Sequence, residues 1–340
     1  MDEKEPGFSP AENMTEALVS TTHLACNARL IRERIGKKIR IMGIVKANAY
    51  GHNVHKVAQT LESAGINDFG VANIHEAIEL KTGGALKKNA SILAFSSPLV
   101  SHIDCYLQYG IDMTLCDAPT LHAAKEIAAA HNKTLAVQLK VDTGMGRLGI
   151  HPSMAMELLR QIDQTPNIKL KGIYTHFADS ATPEGFTASQ LAAFKNLTAE
   201  YEHASGKTVC KHAANSGAIL SSSESWLDMV RPGILLYGYH PAKNTLCRLN
   251  VKPVMQFEAK VIFIKTVAAG TTISYNRTWS SPETRSIATI AAGYADGYSR
   301  ALSNRATVSI NGKSYQQVGT VTMDQIMICL LYTSPSPRDS

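Results

Sequence analysis

Residues 40–46 read Arg-Ile-Met-Gly-Ile-Val-Lys, an apolar run that ends in a lysine. Seven further runs of similar character follow, and most are separated by stretches with helical spacing. Short buried strands that alternate with helices are typical of parallel sheets, and eight of them are enough to close a (β/α)8 barrel. The eight predicted strands are Arg40–Lys46, Asp68–Asn73, Ser91–Ser97, Asp112–Asp117, Leu135–Asp142, Leu170–Ala178, Val209–Asn215 and Asp228–Ile234.

The pattern changes beyond about Tyr239. Apolar, β-branched runs follow, broken by glycine and asparagine turns and without a long helix between them, which predicts a separate all-β domain. These runs are Val254–Thr266, Ser286–Ala292, Thr307–Ile310 and Gln317–Cys329. We therefore expect an N-terminal lead (1–20), a TIM-type barrel (21–240), a β-domain (241–330) and a short C-terminal segment (331–340).

Composition describes an ordinary globular protein of 340 residues, with 44% hydrophobic and 18% charged residues and a formal net charge of +6. The Lys and Arg residues are scattered, so nucleic-acid binding is not predicted. No apolar run reaches membrane-spanning length, and the acidic start does not resemble a signal peptide. The six cysteines contain no CxxC pair. This excludes a typical zinc or disulfide framework and favours a cytoplasmic location.

Active sites of such barrels lie at the carboxyl ends of the strands. Lys46 ends the first strand, where an amine shielded from water could form an imine, although a lone lysine at a strand end is often only a surface residue. His176 follows the sixth strand and Arg231 lies in the eighth, while Asn215 and Ser216 form a small polar turn suited to a phosphate. Together these groups indicate a pyridoxal phosphate site.

The fifth strand leads into residues 144–149, Gly-Met-Gly-Arg-Leu-Gly, which is formally a GxGxxG motif. A dinucleotide-binding fold would place this motif after the first strand, with an acidic residue about twenty positions further on. Neither condition is met. Because Lys140, Asp142 and Arg147 lie around the same strand end, we interpret the segment as a polar wall of an active site.

These segments together resemble the alanine racemase family of pyridoxal-phosphate-dependent enzymes. Residues 45–52 (VKANAYGH) look like the family's cofactor-lysine motif, and residues 142–149 (DTGMGRLG) resemble a second signature. The resemblance extends from about Thr21 to Ile328. Later similar segments are Arg231–Gly238, Ser274–Trp279, Gly293–Gly297 and Met323–Gln325.

The resemblance implies interconversion of L-alanine and D-alanine by two-base proton transfer on a pyridoxal phosphate aldimine, which supplies D-alanine for peptidoglycan. By similarity, Lys46 would hold the cofactor as a Schiff base and act as one base. Tyr275, from the second subunit of a homodimer, would act as the other. Inverting a Cα centre needs one base on each face of the plane.

Other positions match further contacts of the family. Arg231 resembles the arginine that donates to the pyridine nitrogen, and His176 the histidine that lies against the ring. Arg147 would approach the phenolic oxygen and the substrate carboxylate, and Lys140 matches a lysine that family members carbamylate to hold that arginine. The implied phosphate-binding set is Tyr50, Asn215, Ser216 and the backbone of Gly233 and Ile234, and the implied substrate-side residues from the partner subunit are Tyr294, Met323 and Asp324.

The C-terminus departs from the family pattern. Cys329 stands where the family usually has aspartate, and residues 331–340 resemble a translated sequencing adaptor. We therefore expect a β-domain without its last strands and without the tyrosine that normally adds a phosphate contact.

Three other functions stay open. The first is a serine-preferring or broad-specificity racemase, which would differ in pocket volume. The second is a non-catalytic pyridoxal-phosphate-binding protein, although such proteins are single barrels without the β-region that carries Tyr275. The third is a nicotinamide dehydrogenase built on the GxGxxG motif.

Overall fold

The computed structural model describes residues 13–87, 89–182, 184–242 and 246–330. The described residues form two compact units, one within Val19–Met255 and the other made of residues 13–18 together with residues 256–330. Residues 331–340, for which we expect a foreign origin, lie outside the described residues.

The first unit is a barrel of eight parallel strands, which confirms the predicted fold. After β1 (Thr15–Val19), its strands are β2 (Arg40–Ile44), β3 (Asp68–Val71), β4 (Ser91–Ala94), β5 (Asp112–Leu115), β6 (Leu135–Lys140), β7 (Ile168–Tyr174), β8 (Cys210–His212) and β9 (Met229–Val230). They pair in the order β8-β7-β6-β5-β4-β3-β2-β9. The Arg231 amide donates to Ala214 O at 2.8 Å, which joins the ends of β8 and β9 and closes the ring.

Helices separate most of the barrel strands. They are α1 (Thr21–Ile35), α2 (Lys46–Tyr50), α3 (Val54–Ser63), α4 (Ile74–Thr82), α5 (Ile103–Tyr109), α6 (Ala118–Ala130), α7 (Pro152–Gln164), α8 (Phe186–Ser205) and α9 (Ser216–Ser221). Several helices are preceded by an N-cap residue whose side chain accepts hydrogen bonds from amides of the first turn; Asn73, Asp117 and Asn215 are examples. No helix in the described part of the chain is long and apolar enough to cross a membrane.

Apolar side chains pack on both faces of the barrel sheet, against the helices outside and within the barrel. In β2, Ile41 belongs to the core between the strands and the helices, while Met42 and Ile44 belong to a second cluster on the opposite face. Successive residues of a strand point to opposite faces, so this second cluster fills the barrel interior. Its buried members are Met42, Ile44, Leu93, Tyr174 and Met229.

The second unit is antiparallel, which confirms the predicted all-β region. Its remaining strands are β10 (Met255–Ala259), β11 (Val261–Val267), β12 (Thr272–Ile273), β13 (Trp279–Ser280), β14 (Arg285–Ile290), β15 (Thr307–Ile310), β16 (Lys313–Val318) and β17 (Ile326–Leu330). Five of them form a sheet in the order β11-β14-β17-β16-β15, while β1 pairs with β10 and β12 with β13.

Some details differ from the sequence analysis. Strand β1 lies in the segment that we expected to be an N-terminal lead. It was not predicted because it forms by pairing with β10, far along the chain, and its sequence carries no local alternation. The run Gln317–Cys329 is two strands, since the chain turns after Val318 at Gly319, which has φ +77°. Cys329, where we expect a departure from the family pattern, is buried within β17, opposite Ile287 of β14.

Candidate active site

The carboxyl ends of the barrel strands surround a cavity of about 580 Å³. Every barrel residue that the sequence analysis assigned to the cofactor lines this cavity, and these residues follow or end five different strands. They are Lys46, Tyr50, Lys140, Arg147, His176, Asn215, Ser216, Arg231, Gly233 and Ile234. The structure therefore brings together residues that lie up to 188 positions apart in the sequence.

Lys46 lies two residues after the end of β2 and begins a single turn of left-handed helix. The residues Ala47–Tyr50 all have φ between 51° and 55°. Left-handed helical backbone costs an L-residue roughly 1–2 kcal/mol, so four in succession need outside support. The Lys46 Nζ atom lies 6.0 Å from the centre of the Tyr50 ring. The Lys46 side chain is exposed in this single chain, so the shielding from water that we expected is not present here.

Ser216 organises the small polar end of the cavity. Its hydroxyl accepts hydrogen bonds from the amides of Gly233 at 3.0 Å and Leu235 at 3.3 Å. A Cβ atom on Gly233 would lie 2.6 Å from the Tyr50 hydroxyl, so a larger residue here would displace that hydroxyl. Asn215 accepts from the amide of Gly217 at 3.0 Å. Hydroxyl groups and backbone around small residues are suited to a phosphate group.

Arg231 is a buried cation that is held by neutral groups. Its Nη2 atom donates to the carbonyls of Thr175 at 2.7 Å and Ala213 at 2.9 Å. Its Nη1 atom lies 2.9 Å from Nδ1 of His212. A guanidinium can only donate, so His212 accepts on Nδ1 and carries its proton on Nε2, which faces Oε1 of Gln138 at 2.8 Å. Burial lowers the pKa of Arg231 to about 10, so it remains charged at neutral pH.

The charge of Arg231 also affects two titratable groups besides His212. Burial, together with the charge of Arg231, lowers the pKa of His176 to about 3, so the imidazole is neutral at neutral pH. The same two causes lower the pKa of Lys140 to about 8. The Lys140 amine donates to Val141 O at 2.8 Å and lies 5.7 Å from the centre of the Tyr174 ring. Lys140 thus has an ammonium group that loses its proton unusually easily.

A tight loop presents Arg147 to the cavity. The Oδ1 atom of Asp142 accepts from the amides of Gly144 at 3.0 Å, Met145 at 2.8 Å and Gly146 at 3.1 Å. Burial opposes ionisation of Asp142, but the hydrogen bonds from Gly144 and Gly146 lower its pKa below the usual value. The glycine motif therefore wraps a carboxylate of its own chain, which argues against a dinucleotide cradle.

The cavity has a strongly cationic lining. Lys46, Lys140, Arg147 and Arg231 line it, and among its described lining residues none is acidic. A concave site with one sign of charge concentrates ligands of the opposite sign. The site fits pyridoxal phosphate and an amino acid. Its amine suits the aldehyde of the cofactor, its hydroxyl-rich end suits the phosphate, and its arginine suits the carboxylate of the amino acid.

The β-unit carries the remaining predicted residues on its surface, and all are exposed. They are Tyr275, Tyr294, Met323 and Asp324. The segment 319–325, between β16 and β17, is hydrogen-bonded to the loops that carry Tyr275 and Tyr294. Thr320 Oγ1 donates to the carbonyl of Tyr275 at 2.9 Å, and the amide of Tyr294 donates to Thr322 O at 3.1 Å. The structure thus gathers these four residues within their own unit.

Sequence reasoning missed part of the lining. Tyr174 ends β7, and its ring is stacked on His212 at 4.9 Å with an interplanar angle of 6°. An aromatic residue within an apolar strand gives no local sign of this role. Ser96 and Ser97 follow β4 and could have been found as polar residues at a strand end. The other missed lining residues are Ile44, Ala72, Phe95, Met145, Leu148, Ser180, Gly217 and Pro241.

Two family models match the chain. The alanine racemase N-terminal domain matches residues 19–241, and the alanine racemase C-terminal domain matches residues 254–338. The chain is 60% identical to an alanine racemase of Chlorobaculum tepidum over 318 residues, which cover 94% of this chain and 83% of that protein. It is 38% identical to an alanine racemase of Treponema denticola, over 92% of this chain and 83% of that protein.

Solved structures agree with these matches. An alanine racemase of Clostridium difficile superposes with a TM-score of 0.89 at 31% identity, covering 95% of this chain and 84% of that one. An alanine racemase of Bartonella henselae with covalently bound pyridoxal phosphate gives 0.86 at 30% identity, covering 96% and 88%. These findings confirm the fold, the isomerase class and the pyridoxal phosphate dependence expected from the sequence. The chain belongs to the alanine racemase family.

Proposed function

We propose that this chain interconverts L-alanine and D-alanine in the cytoplasm, supplies D-alanine for peptidoglycan, and holds pyridoxal phosphate on Lys46. The observation that carries the proposal is the cavity lined by four cations without an acidic lining residue, with the Lys46 amine at its rim. The cytoplasmic location is supported by cysteines that remain thiols, among them Cys26, Cys105 and Cys210.

The residues of the chain divide the work between binding and proton transfer. The cofactor, when bound, supplies an electron-poor ring that stabilises negative charge at Cα. Lys46 would hold the cofactor and would move the Cα proton of the substrate on one face. Arg147 binds the substrate carboxylate, and Tyr50, Asn215, Ser216, Gly233 and Ile234 bind the phosphate. His176, neutral because of its low pKa, would contact the ring without adding charge.

Arg231 controls which reaction follows proton removal. A guanidinium does not give up its proton, so Arg231 would donate to the ring nitrogen of the cofactor without protonating it. The ring would then take up less charge than with an acidic partner, which would disfavour transamination. The fixed hydrogen bonds of Arg231 to the Thr175 and Ala213 carbonyls hold it in this orientation.

The second base comes from another copy of the chain. We propose a homodimer in which Tyr275 of one subunit completes the site of its partner, with Tyr294, Met323 and Asp324 beside the substrate. The exposure of all four residues supports this, since Tyr275 is 68% exposed in the single chain. A tyrosine hydroxyl on the face opposite Lys46 gives the two-base arrangement that inversion requires.

Reduction with borohydride in the presence of pyridoxal phosphate should attach the cofactor to Lys46, as found by peptide mass mapping. Lys46→Arg should remove the adduct, because arginine keeps the charge but cannot form the imine. Lys140→Arg is the control and should still be labelled at position 46. Labelling at another lysine in the unmodified chain would refute the assignment.

Tyr275→Phe should lower racemisation about 10²–10⁴-fold while the cofactor stays bound, because only proton transfer on one face is lost. In heavy water, this variant should keep more Cα exchange on D-alanine than on L-alanine, since Lys46 acts on the D-isomer. Tyr109→Phe in α5 is the control and should behave like the unmodified chain. Equal residual exchange on both isomers would contradict this division of labour.

We also propose that Lys140 is carbamylated and thereby holds Arg147. Carbon dioxide adds to the neutral amine, and the pKa of Lys140 near 8 makes that form accessible. With carbon-13 bicarbonate, a carbamate resonance should grow as the pH rises through about 8 and fade below it. The resonance should be absent from Lys140→Arg, and its persistence there would place the carbamate elsewhere.

A further inference from the structure

Glu76 joins the ends of two barrel strands with one carboxylate. It lies in the first turn of α4. Its Oε1 atom accepts from the amide of Ala47 at 2.9 Å, and its Oε2 atom accepts from the amide of Ala72 at 2.7 Å. Ala47 directly follows Lys46, and Ala72 directly follows β3 and lines the cavity. The carboxylate is thus bonded to the peptide group that carries Lys46.

This contact lies at the strained point of the site. The left-handed turn Ala47–Tyr50 contains alanine and tyrosine, which do not favour positive φ, so its conformation must be imposed from outside. The first amides of a helical turn lack partners within the turn and form its positive end. A carboxylate on the Ala47 amide satisfies one of these donors and complements that charge.

Capping of α4 explains only one of the two Glu76 hydrogen bonds. Asn73 caps α4, because its side chain accepts from the amides of His75 at 3.0 Å and Glu76 at 3.1 Å. Glu76 is the third residue after this cap, so its bond to the Ala72 amide resembles a capping box, whereas its bond to the Ala47 amide lies outside α4. The Glu76 carboxylate is therefore placed to serve the turn after Lys46.

The Ala49 amide donates to Val45 O at 2.9 Å within the turn, but the other side-chain hydrogen bonds lie in its far part. The Asn48 side chain accepts from the amide of Val54 at 2.8 Å. The His52 Nδ1 atom lies 2.9 Å from Tyr50 O. Among these contacts, that of Glu76 alone reaches the Lys46–Ala47 peptide. Fixing this peptide fixes the backbone direction from which the Lys46 side chain leaves.

We propose that Glu76 is a positioning residue, which holds the left-handed turn and so directs Lys46 into the cavity. The role in cofactor attachment rests on the proposed function, but the clamp on the turn does not. Both carboxylate oxygens are needed. Glu76→Gln keeps the shape of the side chain but replaces one acceptor with an NH₂ group, which cannot accept from an amide.

The clamp is tested first without cofactor, by hydrogen exchange of the apo protein well below its melting temperature. In Glu76→Gln, the Ala47 amide and the following turn should exchange about tenfold faster or more, because an opening reaction that loses one charged hydrogen bond becomes easier. Glu79→Gln, on the same helix with a 58% exposed side chain, is the control and should exchange like the unmodified chain. Unchanged exchange at both Ala47 and Ala72 in Glu76→Gln, or at Ala47 in Glu76→Ala, which removes both acceptors, would refute the clamp.

The second measurement tests the effect on Lys46. Glu76→Gln should bind pyridoxal phosphate about tenfold to a hundredfold more weakly and should be trapped more slowly by borohydride at Lys46, because the amine is misplaced. Among molecules that do carry the cofactor, kcat should fall while the KM for alanine stays nearly constant. Glu79→Gln should match the unmodified chain in each property.

The outcomes separate the two ideas. A Glu76→Gln variant with a lower melting temperature but unchanged cofactor affinity and trapping rate would show a merely structural role and overturn the proposal. If the unmodified protein is never labelled at Lys46, the proposed function is refuted. The exchange result at Ala47 would still decide whether the clamp exists.

Discussion

The buried charge of Arg231 is the constraint on which the rest of the site depends. A cation removed from water is costly unless it is paired or hydrogen-bonded, and Arg231 is held by carbonyls and an imidazole. A chain of hydrogen bonds links it to a carboxylate deeper in the barrel. His212 faces Gln138, and Gln138 Nε2 donates to Asp112 at 3.0 Å. Asp112 in turn pairs with Lys171 at 2.7 Å.

Each bond in this chain fixes the direction of the next. Arg231 can only donate, which sets the tautomer of His212, and the proton on His212 Nε2 then sets the orientation of the Gln138 amide. The anion at the far end stabilises this order without neutralising the charge in the cavity. Arg231 therefore remains available to an anionic or electron-rich ligand, and its field keeps His176 neutral and Lys140 easily deprotonated.

Local sequence patterns predicted most of the fold and the positions of most site residues. The alternation of apolar runs with helical segments predicted eight parallel strands, and strand ends predicted Lys46, His176 and Arg231 as neighbours. Strand β1 and Tyr174 could not be found in this way, because β1 depends on pairing with β10, and Tyr174 lies within an apolar run.

The left-handed turn shows the same limit more sharply. Residues 47–50, Ala-Asn-Ala-Tyr, contain no glycine, and only Asn48 is of a type that favours positive φ. Their conformation comes from contacts distant in sequence, such as the Glu76 carboxylate and the Tyr237 ring, which lies 4.7 Å from that of Tyr50. Sequence therefore places the functional lysine, while the geometry that aims it arises only in the folded chain.

The central claim, that this cavity serves alanine, is tested most directly by chiral analysis of products from single amino acids. The chain with pyridoxal phosphate should convert L-alanine and D-alanine to the same equal mixture. Its kcat/KM for L-alanine should exceed that for L-serine by about tenfold or more, because a pocket fitted to a methyl group discriminates to that degree. Faster racemisation of serine, comparable rates across many amino acids, or no racemisation with cofactor bound would contradict the account.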